Sequence, residues 1–196
     1  MSYIMINQLS NSSKRILLDI YNKIWEVGNL PKAWKEAIIV PIIKPGKERS
    51  NPGSCRPIAL TLHLCKVMER MINERMTYFV EKIGYLSKFQ SGFGKGRNTM
   101  DSILLLEHEI RKAQVNKENV IAVFFDIEKA YNMMWKEGFL IKLKKMGIGG
   151  SMFNWINYFL NNRSIQVRIG NQSSENLYVE NGIPQGSIVS PLFFLL

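Results

Sequence analysis

The stretch VIAVFFD, residues 120–126, is an unbroken apolar run that closes on a carboxylate. Polar, turn-forming residues flank it on both sides, and the pattern predicts a strand buried on both faces at the centre of a sheet. Asp126 then stands at the C-terminal end of that strand. There a sheet fans into loops, and ligands and metals tend to sit. A carboxylate at such a position is costly unless something compensates it, and a divalent cation is a good partner. An aspartate capping the next turn or helix is an equally good reading of this segment taken alone.

Working outward from this strand, apolar residues recur at helical spacing over 12–27 (Ile16, Leu17, Ile20, Ile24, Trp25), with Ser12 or Ser13 as cap and Gly28 as stop. The run AIIVPIIKPGK, 37–47, is β-branched, and Pro41 predicts an edge or irregular strand closed by the Pro45-Gly46 turn. Residues 50–57, SNPGSCRP, read as a turn-rich loop. A long amphipathic helix is expected from Leu62 to Lys82, with Leu64, Val67, Met68, Met71, Ile72 and Phe79 inward. QSGFGKGRNT, 90–99, is a glycine-punctuated loop, after which Asn98 or Thr99 caps a helix over 100–115. WKEGFLIKLKKMG and SMFNWINYFL read as helices, and SIQVRIG and NLYVE as strands joined by a polar turn. The expectation is an α+β chain with one continuous organisation. It closes on PLFFLL, six residues that read as bare apolar surface, as though the chain stops before its core is complete.

The 196 residues suffice for one large domain or two small lobes sharing a core, and 46% hydrophobic residues argue against disorder. Lys and Arg outnumber Asp and Glu by 26 to 16, a formal charge of +10. Such a balance points to a polyanion, of which nucleic acid is the usual one; an anionic membrane surface gives the same bias. Cys55 and Cys65 form no CxxC pair, and His63 and His108 lie too far apart to complete a zinc site, so ordinary thiols in a reducing compartment are expected. Neither a signal peptide nor an apolar run of membrane-spanning length is present in the sequence, which predicts an intracellular, soluble protein in nucleus or cytoplasm.

Four segments carry a resemblance. FFDIEKAYN (124–132) resembles motif A of reverse transcriptases, and NGIPQGSIVSPLFFLL (181–196) resembles their motif B. LPKAWKEAIIVPIIKPGK followed by CRPIAL is similar to the fingers segment of non-LTR, LINE-like (Jockey-type) enzymes, and QSGFGKGRNTMDSI to their next fingers motif. A lone GxPQG carries little weight; four motifs in family order over about residues 28–196 are specific.

The resemblance implies fingers and palm of a right-hand polymerase, with an incomplete palm sheet packed on helices and no thumb. It divides the chain into an N-terminal helical segment (1–28), fingers (29–119) and a partial palm (120–196). It implies an RNA-directed DNA polymerase working on an RNA template, a DNA primer and dNTPs, with no membrane partner. Two Mg²⁺ ions about 3.5–4 Å apart, with Mn²⁺ as the alternative, would serve the transfer. Asp126 is then the catalytic metal ligand; Glu128 is expected to be a solvated or structural acid. Lys44 and Arg56 match cations that grip the triphosphate, with Lys47 competing for the lysine role. Ile127 is expected among the nucleotide-binding residues, and Tyr131 matches the aromatic under the nucleotide sugar, where it would exclude a 2′-hydroxyl. Gln185 and Gly186 match the turn beside the nucleotide, and Arg97 a contact to template or triphosphate. The family completes its site with a Tyr-x-Asp-Asp hairpin beyond motif B, so this chain is expected to need downstream palm and thumb segments and to be inactive alone. Asn132 and Gly94 depart from the common acid and arginine. The rival expectation is a non-catalytic nucleic-acid-binding remnant, and a weaker one a basic membrane-surface module.

Overall fold

The computed structural model describes residues 3–48, 50–94 and 96–196; Met1 and Ser2 of the expected N-terminal segment, Arg49, and Lys95 of the glycine-rich loop lie outside the described residues. In chain order the elements are α1 (Tyr3–Asn7), α2 (Asn11–Val27), α3 (Lys32–Lys35), β1 (Glu36–Ile43), a 3₁₀ turn at Pro52–Ser54, β2 (Cys55–Leu60), α4 (His63–Lys82), α5 (Thr99–Asn116), α6 (Ala130–Met133), α7 (Lys136–Lys145), α8 (Gly150–Leu160), β3 (Arg163–Ile169), β4 (Gln172–Ser173), β5 (Leu177–Val179) and α9 (Ser190–Leu195). The architecture is α+β, a small sheet packed on helices.

The helical layer holds the core. Cys65, Met68, Ile72, Met76 and Val80 form a buried stripe along α4 at three- and four-residue spacing. Against it lie Trp155, Ile156, Phe159 and Leu160 of α8 and Phe139 and Leu143 of α7. The Trp155 indole donates to the Met68 sulfur at 3.3 Å and stacks on Phe159 at 4.9 Å between centroids. Capping is conventional. The Ser10 hydroxyl, rather than Ser12 or Ser13, accepts from the Ser13 amide at 3.2 Å to start α2, and Gly28 ends it at φ +73°. Asn98 and Asp101 form a reciprocal capping box on α5.

The expectation that the chain ends on bare apolar surface is corrected. Leu192, Phe193 and Leu196 are buried, and the Phe193 ring, 1% exposed, lies 4.9 Å from that of Phe139. The final helix turns this side onto α7 and α8, so Leu192, Phe193 and Leu196 are core while Phe194 stays exposed.

Among the described residues five strands make one sheet in the order β2-β1-β3-β4, with β5 also on β3. β1 and β2 form an antiparallel hairpin from Ile38↔Leu60 to Ile43↔Cys55. β1 and β3 run parallel, from Glu36↔Ser164 to Ile39↔Val167. Two sequence expectations change here. Residues 55–57, read as loop, are the start of β2. Pro41 does not keep β1 at an edge: β1 is central over 36–39, and Pro41 falls just beyond its last β3 partner and opposite Pro57. Neither proline has an N–H to donate, and facing one another at a non-hydrogen-bonded position they cost the ladder nothing.

The largest correction concerns 120–126. This run is in no strand or helix, with Phe124 and Phe125 exposed at 83% and 92%. The parallel place beside β1 is taken by β3, and no other described strand offers the run a ladder, so its backbone finds no partner in a sheet. The sheet also joins strands from both sides of the expected 119/120 division, β1 and β2 from one and β3 to β5 from the other.

Candidate functional site

Two segments of the second half meet back to back. The Ile183 amide donates to the Tyr131 carbonyl at 2.8 Å and the Gly182 amide to that of Met134 at 2.9 Å. Gly182 sits at φ +80°, and a Cβ there would lie 2.6 Å from the Asn132 carbonyl oxygen, so only glycine lets the two backbones approach. The tail of FFDIEKAYN is thereby fixed against the start of GIPQGS.

The Pro184–Ser187 turn that follows is held from three directions. The Ala59 amide of β2 donates to the Gln185 carbonyl at 2.7 Å. Glu69 of α4, wholly buried, accepts through Oε2 from the Ser187 hydroxyl at 2.6 Å and from the Ile188 amide at 2.7 Å. The Ser190 hydroxyl of α9 donates to the Pro184 carbonyl at 2.9 Å. Gly186, at φ +116°, abuts the Ala59 carbonyl, where a Cβ would come within 3.0 Å.

Strand alternation puts Ala37, Ile39, Pro57, Ala59, Ile165 and Val167 on one face of the sheet. Between these residues lies a groove of about 280 Å³, lined also by Asn132, Asn181 and Gln185. Arg163 also lines it. Its Nη1 donates to the Phe159 carbonyl at 3.1 Å, its guanidinium lies 4.7 Å over the Phe159 ring, and its Nη2 is buried without a hydrogen-bond partner. Burial lowers the Arg163 pKa, opposed by the neighbouring Cys65 and Glu69.

Of the residues singled out from sequence, Gln185 lines this groove, and Gly186 borders it through β2. Arg56 pairs with Ile42 and alternates onto the opposite face of the hairpin, the face on which the Ile58 side chain approaches Gly186. Lys44 and Lys47 occupy the hairpin loop: the Lys44 amide donates to the Ser54 carbonyl and the Lys47 amide to that of Lys44, while Lys44 Nζ reaches the Gly53 carbonyl at 3.5 Å. The turn therefore straddles the free edge of the strand that carries Arg56. Tyr131 is half-buried with its ring 5.7 Å from Phe194, and Ile127 lines a separate hollow with Phe194 and Leu196. Arg97 Nη1 donates to the carbonyls of Ser87, Lys88 and Gln90 at 2.9 to 3.0 Å, which fastens the glycine-rich loop. Asp126 is exposed on the unpaired run, apart from the groove, and Glu128 pairs with Lys129 at 3.3 Å.

Among the described residues no three His, Cys, Asp or Glu side chains gather as a metal cluster. A lone exposed aspartate does not hold two ions, since Mg²⁺ needs converging carboxylates; no metal-dependent step is derived from these residues. No helix among the described residues is long and apolar enough to cross a membrane.

Sequence reasoning missed Glu69, Asn181 and the groove itself. The signal for Glu69 was present, an acid on the otherwise apolar stripe of Cys65, Ile72 and Met76. The groove had none, because it depends on β3 joining β1 across more than a hundred residues.

Comparison with known proteins identifies the arrangement. Residues 42–196 match the reverse transcriptase (RNA-dependent DNA polymerase) family. The chain is 35% identical over 175 residues to "Probable RNA-directed DNA polymerase from transposon BS" of Drosophila melanogaster, covering 89% of the chain and 19% of that protein. It is 31% identical over 189 residues to "RNA-directed DNA polymerase from mobile element jockey" of the same fly, covering 96% of the chain and 20% of the relative. A third, "Probable RNA-directed DNA polymerase from transposon X-element", is 33% identical over 177 residues, 90% of the chain and 19% of the relative. The chain thus spans about a fifth of the length of these curated relatives. The motifs of the sequence, the turn pinned to the hairpin and these likenesses agree that this chain belongs to the reverse transcriptase family, alongside the RNA-directed DNA polymerases of non-LTR retrotransposons.

Proposed function

We propose that these residues are the fingers and part of the palm of a polymerase that copies an RNA template into DNA on a DNA primer, in nucleus or cytoplasm. The observation that carries this reading is the Ala59–Gln185 hydrogen bond, which ties the glutamine-glycine turn to the strand bearing Arg56 and to the loop bearing Lys44 and Lys47. In this reading residues 1–28 brace the fingers, 29–119 form them, and 120–196 begin the palm. Lys44 or Lys47 and Arg56 bind the triphosphate, Ile127 also meets the nucleotide, Tyr131 lies under its sugar, Gln185 and Gly186 border the base, and Arg97 serves template contact by holding its loop.

Enzymes of the family use divalent metal ions, and we assign Asp126 as one magnesium or manganese ligand. The other carboxylates must come from residues not gathered here, so a primer-extension assay on the 196-residue chain is expected to give no sustained incorporation. In a polymerase that carries this segment together with further palm and thumb, Asp126→Ala is expected to abolish incorporation; activity near that of the parent overturns the metal assignment.

A charge of +10 favours one second reading, a non-catalytic nucleic-acid binder. Both readings predict binding to an RNA–DNA duplex that weakens steeply with salt, by roughly 0.7 to 0.9 in log–log slope per phosphate neutralised. They part at dNTPs: only the polymerase reading predicts that Arg56→Ala weakens dNTP binding, and equal affinity in that variant favours the binder.

A further inference from the structure

A buried carboxylate is expensive, and replacing buried ionic groups by apolar ones of similar size is often neutral or stabilising. Glu69 nevertheless stands on the apolar stripe of α4 with no exposed surface, amid Cys65, Met68 and Ile72. Its donors explain where it is aimed. Oε2 takes the Ser187 hydroxyl and the Ile188 amide, 118 and 119 residues along the chain. Oε1 takes only a weak thiol donor, Cys65 Sγ at 3.5 Å. Both strong bonds end on the residues that follow Gln185 and Gly186, and on the other flank the Ala59 amide holds the Gln185 carbonyl.

Ala59 and Glu69 belong to one rigid unit. β2 ends at Leu60 and α4 begins at His63, so the two anchors are joined by a two-residue link of which Thr61 is itself buried. The Gln185-Gly186 turn is clamped between them. The oxygen that does the clamping is a single one, and a glutamine could place its carbonyl there while losing the charge.

We propose that Glu69 is a positioning residue: it holds the Gln185–Gly186 turn in the shape that receives the nucleotide, by hydrogen bonding to Ser187 and Ile188 rather than by its charge. The nucleotide half of this proposal rests on the polymerase reading above; the clamp rests on the hydrogen bonds alone.

Amide hydrogen exchange of the whole 196-residue chain tests the clamp without any nucleotide. Glu69→Leu should speed exchange over 186–189 about tenfold or more, since a lost hydrogen bond to a charged group is worth at least that factor. Exchange of α8 should stay as in the parent, and Glu69→Gln should stay within about threefold of it throughout. Unchanged exchange over 186–189 in Glu69→Leu overturns the clamp, and exchange as fast in Glu69→Gln overturns the hydrogen-bond account in favour of charge. Should Glu69→Leu unfold α8 as well, Ser187→Ala decides: it leaves the carboxylate in place, and faster turn exchange with α8 intact supports the clamp, whereas no change overturns it. Binding of a fluorescent dNTP in the presence of an RNA template, a DNA primer and Mg²⁺ forms the second arm. An affinity about tenfold lower in Glu69→Leu and restored in Glu69→Gln supports the nucleotide role; equal affinity in the three chains overturns it. A parent chain that binds no dNTP while its turn stays protected counts against the polymerase reading and the nucleotide role, and leaves the clamp standing.

Discussion

The Ala59 amide and the Gln185 carbonyl, 126 positions apart, are joined by a hydrogen bond of 2.7 Å. Ala59 faces Ile39 across the hairpin at a non-hydrogen-bonded position, so its N–H points away from β1 and is free to take the turn as a substitute partner. One backbone bond at a sheet edge thus links two of the stretches of sequence that carry the family resemblance.

Gly182→Ala and Gly186→Ala probe the two close approaches of that turn. Each glycine has a positive φ, and in each the new methyl meets a backbone carbonyl oxygen, at 2.6 Å and 3.0 Å respectively. Strain of this kind costs about 1–3 kcal/mol. Urea unfolding should show both variants destabilised, Gly182→Ala the more, because its approach to a main-chain oxygen is the shorter.

Phe193→Ala should cost about 3–5 kcal/mol, the range for emptying a ring-sized site in a packed core. Phe194→Ala should cost far less, since Phe194 is partly exposed beside Tyr131. Chemical denaturation of the two variants side by side measures the difference; equal losses would contradict the orientation of α9.

Burial, reinforced by Cys65 and Tyr3, pushes the Tyr21 phenol from 10.0 up to about 12. Between these values the unfolded chain has lost the proton that the folded chain keeps, so stability falls as pH rises from about 10 to 12 and is unaffected by this group below about 10. Tyr21→Phe should lose about 0.5–1.5 kcal/mol at neutral pH through the hydrogen bond to the Leu64 carbonyl, and its stability should decline less steeply between pH 10 and 12. Thermal melts across that range give both quantities.

Arg97→Ala should release the loop that its guanidinium fastens. Limited chymotrypsin digestion is expected to cut at Phe89 or Phe93 at least several-fold faster, with α4 and α8 intact. Arg97→Lys should lose less than the alanine variant, because the three carbonyls converge on one nitrogen, Nη1, and an ammonium also carries three donors.

Much of this was legible beforehand, and the reasons differ by element. The α4 stripe, the Gly28 stop and the Asn98 cap are local: spacing of three and four residues, or one side chain and its own backbone, decides them. Pro41 misled because its effect depends on which strand lies beside it and for how long, and the pairing with β3 ends at Ile39, two residues before it. The run 120–126 misled for the opposite reason. Its composition suits a buried strand, but burial requires partners, and none of the described strands takes that place. In the candidate site, Gln185 and Gly186 were found by motif, while Glu69 lay in plain view as an acid among apolar neighbours and was passed over, since its partners sit 118 residues away.

The bared run Val120–Phe125 has a consequence for handling the protein. Six residues of high strand propensity, without charge, glycine or proline, make a segment able to stack on copies of itself as cross-β ribbons. Asp126 at one end and Glu118 near the other are charges of the gatekeeper kind that disfavour stacking. Asp126→Ala, the variant that tests the metal assignment, should therefore also shorten the lag before thioflavin-positive aggregates appear in a concentrated sample at neutral pH.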